Sequence, residues 1–360
     1  MNPRSIPILA ILAVLAPATP AGAAERYTEQ SDRQFDPRGV RVVEVGNSRG
    51  DVDVTPSPDG RIHVLAIKTC RGKDRVEALR NARELTVEAG VKGDRCIVVV
   101  HYPRHTDIRV NLWDVFAGKG DSDDWKPRHE LTLRVQVPAG LTLRAETVSG
   151  DVGVRGLRGA QALQTTSGDV VVDAAEGVID VKTVSGDVRV GGSGRASVRT
   201  TSGDVTSVLA GPLEAHTTSG DIDVPSAGDS LVLGSTSGDI TVEHSPRSVT
   251  ASTASGAIDV ASAAGLAALG SSSGSISIGF VAPFRGANLS ASSGDVAMEL
   301  APGLDADLEL TTTSGDIDSD APVVLLGHSR NSMNAKYGRG GAPLKARTVS
   351  GDLHVTSGGR

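Results

Sequence analysis

From about residue 141 onward, aliphatic residues recur at fixed distances from a series of glycines. They fall two and four places after the glycine, as at Val152 and Val154, Val170 and Val172, Val188 and Val190, Ile240 and Val242, and Ile276 and Ile278. Another falls five places before it, at Leu163, Val181, Val198, Leu233, Leu289 and Leu310, usually with Thr or Ser three before. Both halves carry the period-2 alternation of a half-buried strand. Each copy therefore predicts two short strands hinged at Ser-Gly-Asp.

The hinge glycines are Gly150, Gly168, Gly186, Gly203, Gly220, Gly238, Gly256, Gly274, Gly294, Gly315 and Gly351. Their spacings are 18, 18, 17, 17, 18, 18, 18, 20, 21 and 36, the last equal to two periods. The following residue is aspartate at Asp151, Asp169, Asp187, Asp204, Asp221, Asp239, Asp295, Asp316 and Asp352, with Ala257 and Ser275 as the exceptions. A single copy cannot bury its own apolar face, so copies must stack, each strand pairing in parallel with its equivalent in the next coil. The fold class this predicts is all-β: a flattened parallel β-solenoid of about 18 residues per coil. At ~4.8 Å per coil, the dozen or so periods would extend roughly 50–60 Å. Glycine at the corner suggests a backbone with positive φ, and the adjoining Ser and Asp suit capping of freed backbone groups.

Residues 25–140 do not repeat cleanly and predict an N-terminal α+β cap over the first coil. Strands are expected near residues 42–45, 51–54, 62–67, 96–100 and 131–137, with an amphipathic helix over 74–85 whose stripe is Val76, Leu79, Ala82 and Leu85. Residues 113–130, with Asp121, Asp123, Asp124, Trp125 and Pro127, read as an exposed loop. Within the solenoid of residues 141–360, the segment 322–344 takes the place of one regular turn and reads as an excursion before the final coil. That final coil is expected to leave an edge open to a partner strand.

Composition narrows the class further. Aromatic residues make up only 2% of the chain, which implies a narrow interior. The net charge of −7, without a basic block, argues against nucleic acid or an anionic membrane as partner. Residues 1–24 run from Arg4 through an apolar stretch to Ala21-Gly22-Ala23-Ala24, the order of a secretory signal peptide, whose removal would take the charge to −8. No other stretch approaches the ~20 apolar residues of a transmembrane helix. An exported protein, periplasmic, cell-surface or secreted, is expected. In that compartment Cys70 and Cys96 are a possible disulfide, against the alternative of two buried thiols.

Candidate chemistry is sparse. The aspartates after the corner glycines should form a ladder, and stacked carboxylates could attract a cation; the alternative is that each caps backbone N–H groups, and no metal or cofactor is expected. Arg49-Gly50-Asp51 resembles an integrin-binding tripeptide, yet Val52 and Val54 after it make it a variant corner. His101 and His105 flank Pro103, which excludes the helical register that would put both on one face. Asp121, Asp123 and Asp124 lack the Gly and distal Glu of a calcium loop. A polysaccharide-active enzyme would need clustered carboxylates in an aromatic-lined groove, whereas Tyr102, Trp113, Trp125 and Tyr337 all fall outside the regular coils. No catalytic residue is assigned.

Three stretches carry a family resemblance. They are Val137-Pro138-Ala139-Gly140-Leu141 leading into Thr147-Val148-Ser149-Gly150-Asp151-Val152, the tandem Thr-Thr-Ser-Gly-Asp copies, and Gly338-Arg339-Gly340-Gly341-Ala342-Pro343-Leu344 before Thr348-Val349-Ser350-Gly351-Asp352. Over residues about 38 to 355 the chain resembles the bacterial toastrack family of adhesin-like proteins. The resemblance implies a right-handed single-stranded β-helix in the cell envelope and supplies no catalytic residues. The function expected is a non-catalytic binding scaffold for an envelope protein or glycan. The alternative is a periplasmic sensory or structural module that associates, with itself included, through its solenoid ends.

Overall fold

The computed structural model describes residues 10–13, 25–72, 74–102 and 129–358, which hold thirty strands and one helix. The chain divides into two compact units, Met1–Gly168 and Asp169–Arg360. The expected loop of 113–130 lies outside the described residues except at its last two positions, as does the expected signal peptide apart from Ala10–Ala13. Those four residues pair antiparallel with Glu29 to Asp32.

In the second unit the repeat becomes a stack of two-strand coils. The first inward residue after each corner joins one ladder, Val188 beside Val205, Ile222, Ile240, Ile258 and Ile276, every pairing parallel. Across the coil, Val181, Val198, Ala215, Leu233, Ala251 and Leu269 form the facing ladder. These side chains are all at most 2% exposed, which at roughly 1.5–3 kcal/mol per buried Val, Leu or Ile makes the ladders the main source of stability. Phe280 is the one aromatic among the largest fully buried side chains, in line with a narrow core.

Toward residue 357, order along the chain and order in the stack part company. Ala342–Arg347 lies between strand Ile276–Ala291 and strand Ala306–Thr311, parallel to both. Leu353–Ser357 lies between Val296–Leu300 and Ile317–Ser319, again parallel to both. The last coil in sequence is thus inserted beneath the coil that precedes it, and the open edge expected on it is filled. The 322–344 excursion contains a hairpin, Val323–Ser329 with Ser332–Tyr337, whose second strand closes antiparallel on Ala306–Thr311.

The first unit repeats the device. Val42–Arg49 is parallel to both Arg95–His101 and Thr142–Ser149, while Val52–Pro56 is parallel to both His129–Val137 and Val152–Arg155. The 25–140 block therefore contains two coils of its own. Antiparallel strands finish it: Ile62–Gly72 on His129–Val137, Glu25–Phe35 on Ile62–Gly72, and Thr86–Lys92 on Arg95–His101.

The helix runs Arg75–Glu84, capped by the Asp74 carboxylate, which accepts from the Glu77 N–H. Its buried face is Ala78, Asn81, Ala82 and Leu85, whereas Val76 is 77% exposed, so the expected stripe is rotated. Asn81 sits on the buried face with its amide donating to the Arg71 carbonyl at 3.0 Å, which satisfies a polar residue turned inward. Cys70 and Cys96 are free buried thiols, so the structure does not form the expected bridge. Cys70 lies on a strand flanked by Glu25–Phe35 and His129–Val137, and Cys96 on one flanked by Val42–Arg49 and Thr86–Lys92. Their strands are not neighbours, so no pairing brings the two ends together. Burial pushes both thiols up to about 11.

Candidate functional site

Within each unit the Ser-Gly-Asp corners stack into a column, which is where the polar chemistry of the repeat concentrates. None of Gly150, Gly168, Gly203, Gly220, Gly238, Gly256, Gly274, Gly294, Gly315 or Gly351 has a positive φ, contrary to the expectation from sequence. Glycine is required there for a different reason. A Cβ on Gly220 would collide with the Gly203 carbonyl, one on Gly238 with that of Gly220, and one on Gly256 with that of Gly238. The colliding atoms are backbone and cannot move aside. Gly351 meets Gly294, and Gly315 meets Gly351, so the column follows stack order rather than chain order.

The residue three before each glycine is the part sequence reasoning noticed without assigning a role. Thr200, Thr217 and Thr253 are nearly buried, and each hydroxyl accepts from the N–H of its own corner glycine at 3.0–3.1 Å. The same oxygen donates to the preceding coil: Thr217 to the Gly203 carbonyl at 3.3 Å and Thr253 to that of Gly238 at 3.1 Å. Ser235 and Ser271 make the same two bonds, accepting from Gly238 and Gly274 in their own coils and donating to the Gly220 and Gly256 carbonyls of the preceding ones. A short hydroxyl suits this role because it supplies one donor and an acceptor at the same point.

Most corner aspartates cap the coil stacked next to them. The Asp169, Asp187, Asp204 and Asp221 carboxylates accept from the N–H groups of Asp187, Asp204, Asp221 and Asp239 at 2.8–3.0 Å. Asp239 caps Ala257 at 2.7 Å, Asp295 caps Asp352, and Asp352 caps Asp316. This is the capping role weighed against a cation site. Among the described residues, no group of three or more His, Cys, Asp and Glu side chains is placed to hold a metal ion.

In the first unit, Arg49-Gly50-Asp51 forms a corner of the same kind, stacked on Gly150-Asp151. Asp51 accepts from the Asp151 N–H at 3.2 Å, and Gly50, at φ +100°, lies against Gly150. Asn47 replaces the usual hydroxyl residue and donates to the carbonyls of Gly50 and Leu131. The Tyr102 hydroxyl donates to Asn47 and is in contact with the Arg49 carbonyl, and burial pushes this phenol above its ordinary range. The Thr147 hydroxyl one coil on, in turn, has no hydrogen-bond partner among the described residues. His101 rests 3.4 Å from Glu88 across its hairpin, while Pro103, His105, Trp113, Asp121, Asp123, Asp124 and Trp125 lie outside the described residues.

At the far end of the second unit, Arg339 holds Asp305 through its guanidinium at 2.7 and 3.0 Å and its backbone N–H at 2.8 Å. These bonds keep the Asp305 carboxyl below the usual carboxylate range. Tyr337 reaches the carbonyls of Leu300 and Ala301 at 3.4 Å, and together the contacts fasten the hairpin to the coils.

Stacked two-strand coils with glycine corners, bridging hydroxyls and capping carboxylates define a parallel β-solenoid. A family model described as Toastrack DUF4097 matches residues 133–230 and 226–356, and the chain belongs to that family. No curated protein matches the chain. Among solved structures, a proposed adhesin from Bacteroides fragilis is 13% identical, with 91% of this chain and 96% of that one covered at a TM-score of 0.31. A proposed lipid-binding protein from Parabacteroides distasonis is 10% identical over 92% and 97%, at 0.34. A proposed cell adhesion protein from Clostridium sporogenes is 7% identical over 93% and 100%, at 0.23. Similarity this distant says nothing about a ligand. Among the described residues, no helix is long and apolar enough to cross a membrane.

Proposed function

We propose that the protein is a non-catalytic scaffold, exported to the bacterial envelope or surface, that binds a protein or glycan along its outward strand faces. The observation that carries this reading is a row of outward side chains in register across five coils: Thr206, Asp223, Thr241, Asp259 and Ser277. The last four are exposed. They recur at about the 4.8 Å strand spacing, a line of hydroxyls and carboxylates suited to a hydroxyl-rich or polar surface and unsuited to an anionic one. The corner carboxylates, by contrast, are already engaged in joining coils, which leaves the faces as the available chemistry.

The test is proximity labelling in the native host with the chain and with a Thr241→Ala/Asp259→Ala variant. The expected result is a defined partner, protein or glycan-bearing, that the variant loses while its thermal unfolding is unchanged. Identical capture by both forms would sink the lateral-face reading.

A further inference from the structure

The free strand edges of the molecule differ in how they are protected. Thr86–Lys92, which pairs only with Arg95–His101 among the described strands, carries Glu88 and Lys92, ion-paired at 3.1 Å. Ile317–Ser319, paired only with Leu353–Ser357 among the described strands, is three residues long. Charge and shortness are the usual guards against strand addition. Val323–Ser329 has neither. Among the described strands it pairs on one side only, with Ser332–Tyr337, and its sequence Val-Val-Leu-Leu-Gly-His-Ser contains no carboxylate, lysine or arginine. Val324, Leu325 and Leu326 are 61%, 57% and 63% exposed. An irregularity between Leu325 and Gly327 leaves Leu326 out of the ladder, and a bulge there presents a leucine where an edge bulge would ordinarily discourage contact.

We propose that this edge is a self-association surface, occupied by the same strand of a second copy running antiparallel about a two-fold axis at Leu325. Three features favour a copy over a foreign strand. An antiparallel edge is self-complementary under two-fold symmetry, so one surface suffices for both partners. The register sets Val324 against Leu326 and Val323 against Gly327, apolar or small throughout. The charges flanking the strand are opposite in sign and equidistant from Leu325: Asp320 before it and Arg330 after it, both exposed. The same two-fold axis therefore brings Asp320 of each copy toward Arg330 of the other, twice over. One exposed strand is a smaller contact than the ~800 Å² per partner of a standard interface, so association is reversible and concentration-dependent. The inference does not depend on what the outward faces bind.

The experiment is sedimentation velocity on the purified full chain up to about 100 µM, a range that captures weak association. A dimer fraction rising with concentration is expected. Leu325→Lys should weaken it at least tenfold, Arg330→Asp several-fold, and the double variant Asp320→Arg/Arg330→Asp should restore it. As these positions are exposed, circular dichroism should show the native fold in every variant. Should Leu325→Lys not fold, Leu325→Cys serves instead: Cys70 and Cys96 are buried, so mild oxidation should yield a covalent dimer joined at the axis. A monomer throughout, a dimer indifferent to both kinds of substitution, or a monomer that captures an unrelated strand through Leu325 would each overturn the proposal.

Discussion

The coils between residues 188 and 278 and the coils at 42–56 and 342–357 are made from the same motif but assembled differently. In the first set each coil stacks on its neighbour in sequence, and one pattern of glycine contact and hydroxyl bridge repeats from coil to coil, with a carboxylate cap wherever the corner carries aspartate. In the second, a coil is inserted between two others, at 42–56 between residues 95–137 and 142–155, and at 342–357 between 276–300 and 306–319. The difference teaches that the motif specifies a slot, not a neighbour. One corner fits another because the contacts across the column use backbone that every copy supplies, together with a hydroxyl and a carboxylate that most of them carry.

The sharpest way to break the regular set is to put a side chain in the column. Gly220→Val should cost about 4 kcal/mol or more in denaturant unfolding, since it drives into fixed backbone, whereas Gly90→Ala, with open space around it, should stay within about 0.5 kcal/mol. Equal effects would show that the corners are not close-packed. The inserted set is probed by Leu353→Ala. Leu353 is fully buried between two parallel neighbours, so it should lose about 2–5 kcal/mol, as much as Leu213→Ala in the regular coils. A clearly smaller loss would mean that 342–357 is an outer coil.

Replacing the bridge alone should do less. Thr217→Val keeps the shape but strips partners from the Gly220 N–H and the Gly203 carbonyl, for about 1–3 kcal/mol. Smaller again is Ala257→Asp, which would give the Ser275 N–H the cap its neighbours have and raise stability by about 0.5 kcal/mol against repulsion from Asp239. The thiols should contribute nothing through reduction: mass spectrometry should find Cys70 and Cys96 unbridged, with the same melting temperature with and without reductant. Because their folded pKa is raised from 9.0 to about 11, stability should hold below pH 9 and decline as pH climbs from 9 through 11, the thiolates forming first in the unfolded chain.

Much of this was legible in the sequence. The alternation around Val188, Val205 and Ile222 gave strands, period and stacking, because an inward aliphatic every second residue admits few other packings. Glycine at the corner was legible too, but its cause was not. A sequence shows that Gly220 recurs, while only coordinates show the Gly203 carbonyl behind it. The spacing of 36 before Gly351 pointed to a missing turn, yet such a gap is compatible with stacking above or below Gly315, so the insertion was invisible. The helix stripe was misplaced because Val76 is apolar and Asn81 is not, and hydropathy does not show that the Asn81 amide finds the Arg71 carbonyl as an inward partner. The capping aspartates followed from corner chemistry, whereas the bridging hydroxyls, plain as a pattern, needed the stacked geometry before they meant anything.

The inserted coils also set a timetable. Residues 306–319 leave the ribosome, and any export channel, before residues 342–357, yet they find their parallel neighbours only when those later residues arrive. The coil at 42–56 waits likewise for 95–137 and 142–155. The middle of the chain can be laid down coil upon coil as it emerges, since each copy finds its template already in place. Its two flanks must be held open and completed out of turn, and it is there that a chain paused in passage would be longest exposed to a wrong neighbour.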